Sequence, residues 1–150
     1  MDVFSAQVAA QIFAAFPEWR SKAGEEKAPD GTSYLVLRIA PPPESKADHP
    51  LHIDTSNHEV TVGFDSCHSH YDSWISDSGT SFGADAAIDF VKKLLAEEVV
   101  VISCWSGDKW RGSAQSEPTG NFKEHLFVHS SDTIRVKSWR GTYSREFVVA

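Results

Sequence analysis

Apolar residues recur along this chain with two periods, one typical of helices and the other typical of strands. Residues 2–16 carry an apolar side chain at every third or fourth position. This spacing predicts an amphipathic helix that Asp2 caps and Pro17 ends. The helical period returns at residues 83–98. Residues 20–33 between these regions are charged and rich in turn-forming residues, so they predict a linker.

Alternating apolar and polar residues predict the strands. The alternation is clearest where Val60, Val62 and Phe64 would share one face of a sheet. The predicted strands are residues 34–40, 51–53, 60–64, 99–105, 109–115, 133–139 and 142–149. This order predicts an α+β fold, with a largely antiparallel sheet of about six to seven strands and two helices packed on one face.

Length and composition predict one soluble domain that covers residues 1–150. An apolar content of 41% is enough to build a core without disulfides or metal ions. The two cysteines, Cys67 and Cys104, are too few for a disulfide-dependent secreted fold and are predicted to be reduced thiols. The apolar stretch near the amino terminus is preceded by Asp2 rather than by a basic residue, unlike a secretory signal. We therefore expect a cytoplasmic location.

The net charge of −7 is distributed unevenly along the chain. Residues 1–104 carry 16 acidic and 7 basic side chains, whereas residues 105–150 carry 5 acidic and 7 basic side chains. Non-specific binding to nucleic acid requires cations that neutralise phosphates, so this acidic chain is not expected to bind nucleic acid. A basic protein partner would complement the charge of the longer region.

Polar rings and carboxylates are concentrated in residues 64–74. In an extended segment, His68, His70 and Asp72 would point to the same face because side chains alternate along a strand. Two imidazoles and one carboxylate are a ligand set suited to Zn²⁺ or Fe²⁺. Cys67 would point to the opposite face from His68, which disfavours a Cys–His nucleophile pair. Hydrogen bonding within the strand end is the alternative role of these polar groups.

The string His-x-His-x-Asp resembles part of the metal-binding motif of metallo-β-lactamase-type hydrolases, which implies a metal-dependent hydrolase. The resemblance is partial, because that motif continues with another His where this chain has Ser73. The later residues His125 and His129 do not match the downstream ligands of that family. The chain also has no Gly-x-Ser-x-Gly nucleophile motif and no phosphate-binding P-loop motif. We retain the metal-dependent hydrolase as the alternative hypothesis and predict no cofactor for the preferred one.

A short sequence echo suggests a second contact region. Trp110-Arg111-Gly112-Ser113 resembles Trp139-Arg140-Gly141-Thr142, and both segments adjoin predicted turns. Glycine turns explain the echo structurally, whereas Trp and Arg are also enriched among residues that dominate binding energy. The predicted binding surface contains nine residues: His68, His70, Tyr71, Asp72, Trp74, Trp110, Arg111, Trp139 and Arg140.

Residues 58–112 carry a wider resemblance. The strings Glu-Val-Thr-Val-Gly-Phe-Asp and His-Ser-His-Tyr-Asp-Ser-Trp are followed by a helix and by Val-Val-Val-Ile-Ser-Cys-Trp-Ser-Gly-Asp-Lys-Trp-Arg-Gly. This combination is similar to a family of small bacterial proteins, some of which look like immunity proteins of polymorphic toxin systems. The resemblance implies a non-enzymatic, cytoplasmic protein that neutralises a toxin, and it brings no catalytic residues. Our leading hypothesis is accordingly a protein-binding domain whose partner is a basic toxin.

Overall fold

The computed structural model describes residues 1–72, 82–125 and 128–149, and it has an α+β architecture. Two α-helices and nine strands are present in these ranges. The chain divides into two compact units that are interleaved in sequence. The first unit consists of Met1–Ala40, Pro50–Gly63 and His68–Val91, and the second consists of Pro41–His49, Phe64–Cys67 and Lys92–Ala150.

A five-stranded antiparallel sheet belongs largely to the first unit. Its strands lie in chain order: β1 (Ala23–Lys27), β2 (Ser33–Ile39), β3 (Leu51–Asp54), β4 (Glu59–Phe64) and β5 (Cys67–Asp72). The strict burial of alternate residues in β3 and β4 follows from their apolar–polar alternation. One face of the sheet therefore lies in a core, as the sequence predicts.

Helix α1 spans Val3–Ala15 and begins where the sequence predicts. The carboxylate of Asp2 accepts a hydrogen bond of 2.6 Å from the backbone N–H of Ser5, which satisfies an otherwise unpaired helix-terminal donor. The Ser5 hydroxyl lies 2.6 Å from the hydroxyl of Thr55, which also accepts from the backbone N–H of Leu35. These buried hydroxyls connect α1 to β2.

Strand β1 corrects the prediction of a linker at residues 20–33. All five of its residues are exposed, and it pairs only with β2 in a register that sets Ala23 opposite Leu37. A strand at a sheet edge whose side chains face solvent has no apolar alternation, so period analysis does not detect it. A 3-10 helix at Pro17–Lys22 precedes it and buries Trp19.

The second unit contains a four-stranded antiparallel sheet in the order β7-β6-β8-β9. These strands are β6 (Val100–Ser106), β7 (Lys109–Ser116), β8 (Thr133–Lys137) and β9 (Arg145–Val148). One face of the sheet forms the core of the unit, and its buried residues are Val100, Ile102, Cys104, Phe122, Val128, Ile134 and Val136. Helix α2 spans Phe82–Leu95 and precedes this sheet in the chain.

The α+β prediction is confirmed, but the strands form two sheets instead of the single sheet of six to seven strands that we expected. Alternation identifies a strand and its buried face, but it does not identify the strand's neighbours. No helix within the described ranges combines the length and apolar character that a membrane crossing requires.

Candidate binding surface

His68 and His70 lie on the same face of β5, as their spacing predicts. Their ring centroids are 5.1 Å apart, and the rings are perpendicular. The Nδ1 atom of His70 lies 2.7 Å from a carboxylate oxygen of Glu59 and 3.2 Å from the hydroxyl of Thr61, both on β4. Both imidazoles are exposed. The two rings therefore form an exposed polar cluster, in which a carboxylate from the neighbouring strand orients His70.

The predicted metal ligands are only partly described. His68 and His70 are close together, whereas the side chain of Asp72 and the whole of Trp74 lie outside the described residues. Within the described part of the chain, no group of three His, Cys, Asp or Glu side chains could hold a metal ion. The metal site at His68, His70 and Asp72 stays a prediction.

Tyr71 contributes to packing. Its ring stacks against Phe90 of α2, with a centroid distance of 6.3 Å and an interplanar angle of 28°. Phe90 is buried, and Tyr71 is half-buried. This packing contact is sufficient to explain an aromatic residue at position 71.

Trp139 and Arg140 lie in the turn between β8 and β9, and a buried carboxylate supports this turn. One oxygen of Glu97 accepts hydrogen bonds from the backbone N–H groups of Arg140, at 2.8 Å, and Thr142, at 3.3 Å. Burial raises the pKa of Glu97, but hydrogen bonds from Thr142, Ser138 and these N–H groups outweigh that effect and lower the pKa to about 2. The second oxygen lies 3.5 Å from the Arg140 guanidinium.

The turn requires glycine at position 141 for two separate reasons. The φ of Gly141, +83°, belongs to the left-handed region that favours glycine, and a Cβ atom here would lie 1.9 Å from the carbonyl oxygen of Glu44. The ring of Trp139 meets Phe64 at a centroid distance of 5.7 Å. Trp139 and Arg140 therefore have structural partners, although the Arg140 side chain is 60% exposed.

Trp110 has a different environment, because it is 50% exposed at the start of β7. The strand register sets Trp110 opposite Trp105, Trp105 opposite Thr133, and Thr133 opposite Val148. Directly paired residues project to the same face of a sheet, so these four side chains form one row across all four strands. We call them the aromatic row. It lies on the face opposite the core, and Val148 at its other end is 78% exposed.

A bulge in β7 produces this arrangement. Cys104 pairs with Gly112 and Trp105 pairs with Trp110, which leaves Arg111 as an extra residue in β7. A bulge changes the face to which the following side chains point. Without the extra residue, Arg111 rather than Trp110 would oppose Trp105.

Polar contacts hold Trp105 in place within the aromatic row. Its indole N–H donates a hydrogen bond of 2.8 Å to the hydroxyl of Ser103, and the Arg135 guanidinium carbon lies 4.4 Å from its ring centroid. A guanidinium at this distance interacts favourably with the ring face. The indole is therefore fixed by its own sheet.

Asp132 holds the turn that joins β6 to β7. Its carboxylate accepts a hydrogen bond of 2.9 Å from the N–H of Gly107, and its backbone N–H donates to the carbonyl of Trp105 at 2.8 Å. Its carbonyl accepts from the N–H of Val149, also at 2.8 Å. One residue thus connects the turn beside Trp110 to the strand that carries Val148. The sequence analysis did not predict this role, because the partners of Asp132 are distant in the chain.

Comparison of the chain with protein-family models, with curated proteins and with solved structures finds no match.

Among the predicted surface residues whose side chains the structure describes, His68, His70, Trp110, Arg111 and Arg140 are exposed, and Trp110 is the one that lies in the aromatic row. Sequence analysis missed Trp105, Thr133 and Val148 as members of the same row. The alternation of residues in β8 could have identified Thr133, because it places Thr133 on the face opposite Ile134. The arrangement offers a row with an exposed apolar side chain at each end and two adjacent cations, Arg111 and Arg135, and Trp and Arg are enriched in protein interfaces.

Proposed function

We propose that this chain is a non-enzymatic protein-binding domain whose partner docks on the aromatic row. The observation that carries the proposal is the half-exposed Trp110, which begins a continuous cross-strand row ending at the exposed Val148. Large apolar side chains held on an exposed sheet face are typical of protein contact sites. Binding would remove both ends of the row from water.

The fixed position of Trp105 and of the adjoining turn supports this function. Trp105 is held by Ser103 and Arg135, and the adjoining turn is held by Asp132. A side chain that is already ordered loses little conformational entropy on binding, so more of the contact energy appears as affinity. Trp and Arg are also the residues most enriched among binding hot spots.

The charge distribution favours a basic partner. The segments of the first unit contain 11 Asp and Glu residues against 4 Lys and Arg residues, whereas the second unit contains 10 of each. The entire net charge of −7 therefore originates in the first unit. A field of this sign accelerates encounter with a positively charged protein. The sequence resemblance to immunity proteins makes a basic cytoplasmic toxin the partner that we propose.

Two valines provide a matched test of the docking surface. Val148 is 78% exposed in the aromatic row, and Val3 is 75% exposed on α1. With the product of an adjacent toxin gene as the titrated partner, calorimetry should show that Val148→Asp and Trp110→Ala each weaken binding at least about tenfold. Val3→Asp should leave the affinity within about twofold, because it introduces the same charge outside the row.

Different outcomes test the docking surface and the class of partner. Equal losses for Val148→Asp and Val3→Asp would contradict docking on the aromatic row. Failure of the adjacent gene product to bind the unchanged chain would contradict the toxin partner. If it binds, an association rate constant that does not fall with added salt would contradict steering by the acidic charge.

A further inference from the structure

A small basic cavity lies in the second unit, beside β8 and β9. Its volume is about 220 Å³. The residues that line it are Lys46, Arg135, Lys137, Ser144, Arg145 and Glu146. This concentration of cations is notable in a chain whose net charge is −7.

A network of serines brings Lys46 to this cavity. The buried Ser45 hydroxyl donates to the carbonyl of Ser138, and the Ser144 hydroxyl donates to the carbonyl of Ser45, both at 2.7 Å. The backbone N–H of Ser138 donates to the Ser144 hydroxyl at 3.0 Å. Lys46 follows directly with a left-handed φ of +55°. These bonds fix the loop that presents Lys46.

The internal contacts leave a positive excess at the cavity. Lys137 donates a hydrogen bond of 2.6 Å to the backbone carbonyl of Lys46, and Arg135 donates one of 2.9 Å to the Glu146 carboxylate. The ammonium of Lys46 makes no hydrogen bond or ion pair with any described residue. Four cations and one carboxylate line the cavity, which gives the lining a net charge of +3.

Arg145 is a cation of the lining that also lies near aromatic rings. Its guanidinium carbon lies 5.5 Å from the ring centroid of Phe122 and 5.8 Å from that of Phe147. Phe122 belongs to the buried core of the sheet, and the ring of Phe147 stacks against it. Arg135 makes the same kind of contact with Trp105 at 4.4 Å. Neither contact neutralises a guanidinium, so the anion-binding capacity of the cavity rests on Lys46, Lys137 and the two arginines.

We propose that this cavity binds a phosphate group. A dianion would offset most of the positive excess of the lining, and guanidinium and ammonium donors are the groups that proteins use for phosphate oxygens. The volume is below the range of about 300–1,000 Å³ typical of pockets for drug-sized ligands, so it suits a group of phosphate size. The proposal does not depend on the binding of a protein partner.

The test compares anions at equal ionic strength, so that general screening is constant. About 20 mM inorganic phosphate should raise the Tm by at least about 2 °C relative to chloride, because a ligand of the folded state stabilises it. Phosphoserine at the same concentration distinguishes the two sources of the group. A larger shift with phosphoserine indicates a phosphate monoester, and an equal or smaller shift indicates free phosphate. No shift with either anion would overturn the proposal.

Single-charge variants locate the effect. Lys46→Gln removes an ammonium but keeps the backbone carbonyl that Lys137 uses, so its fold should persist. Lys46→Gln and Lys137→Gln should each weaken phosphate binding about tenfold in calorimetry, since each removes one charge-assisted contact. The matched control is Lys109→Gln on β7, an exposed lysine that does not line the cavity. Equal weakening by Lys109→Gln would show that phosphate responds only to overall charge and would also overturn the proposal.

Discussion

Trp110-Arg111-Gly112-Ser113 and Trp139-Arg140-Gly141-Thr142 differ in one residue, and the second unit places them in different environments. The first segment begins a strand, where Trp110 is half-exposed. The second forms a turn on which the buried Glu97 carboxylate converges. Similar short sequences thus acquire different roles from residues far away in the chain.

The source of the difference is the set of tertiary partners. The turn at residues 139–142 is contacted by Glu97, two residues after the end of α2, and lies against the carbonyl of Glu44. The segment at residues 110–113 is placed instead by the bulge at Arg111. We therefore expect substitutions in the turn to change stability, and substitutions at Trp110 to change binding.

The largest effect on stability is expected for Gly141→Ala. The added Cβ atom would approach the Glu44 carbonyl oxygen to 1.9 Å in a left-handed conformation, so unfolding free energy should fall by about 4 kcal/mol or more. Gly107→Ala is the control, because its φ is +57° but no atom lies within 4 Å of the new Cβ. Urea denaturation should show a loss of only about 1 kcal/mol there. Equal losses would contradict a steric role for Glu44.

The next effect is expected for Glu97→Gln and depends on pH. The folded-state pKa of about 2 lies below the ordinary value of 4.5, so the ionised carboxylate stabilises the fold above about pH 4.5. That contribution is lost as the pH falls from about 4.5 to about 2. At pH 7 the variant should be less stable by about 2 to 3 kcal/mol. The difference from the unchanged chain, measured by denaturation at each pH, should shrink over this window; a constant difference would contradict the prediction.

The smallest effect is expected at the exposed tryptophan. Trp139→Ala removes a half-buried ring that contacts Phe64 and should lower stability by about 2 kcal/mol. Trp110→Ala should change stability by less than about 0.5 kcal/mol, because half of that side chain is already in water. Thermal denaturation of the two variants compares the segments directly. A loss at Trp110 that matches the loss at Trp139 would show that the two indoles have the same structural role.

The elements with a buried face could be predicted from the sequence, and those without one could not. Val60, Val62 and Phe64 alternate in the sequence and are buried in β4 as expected. The residues of β1 have no buried face, so their pairing with β2 gave no periodic signal. The division into two sheets depends on pairing between distant segments, which local periods do not encode.

The candidate surface was predicted in the same partial way. The repeated Trp-Arg-Gly string beside a turn led to the choice of Trp110, but the continuous apolar run at residues 99–105 concealed the orientation of Trp105. Both Val101 and Ile102 are buried, so β6 is covered on both faces over this part of its length. The extra residue Arg111 then places Trp110 on the face of the sheet opposite to the one that simple alternation predicts. Register, which only the structure shows, converts four separate residues into one row.

The two thiols give the domain a chemical property that matters for its handling. Cys67 and Cys104 are both buried, and burial raises the pKa of each thiol. A protonated, enclosed sulfur reacts slowly with peroxides and with exogenous disulfides, since the thiolate is the nucleophile. Exposure to air or to an oxidising compartment should therefore leave both thiols of the folded chain reduced, without added reductant.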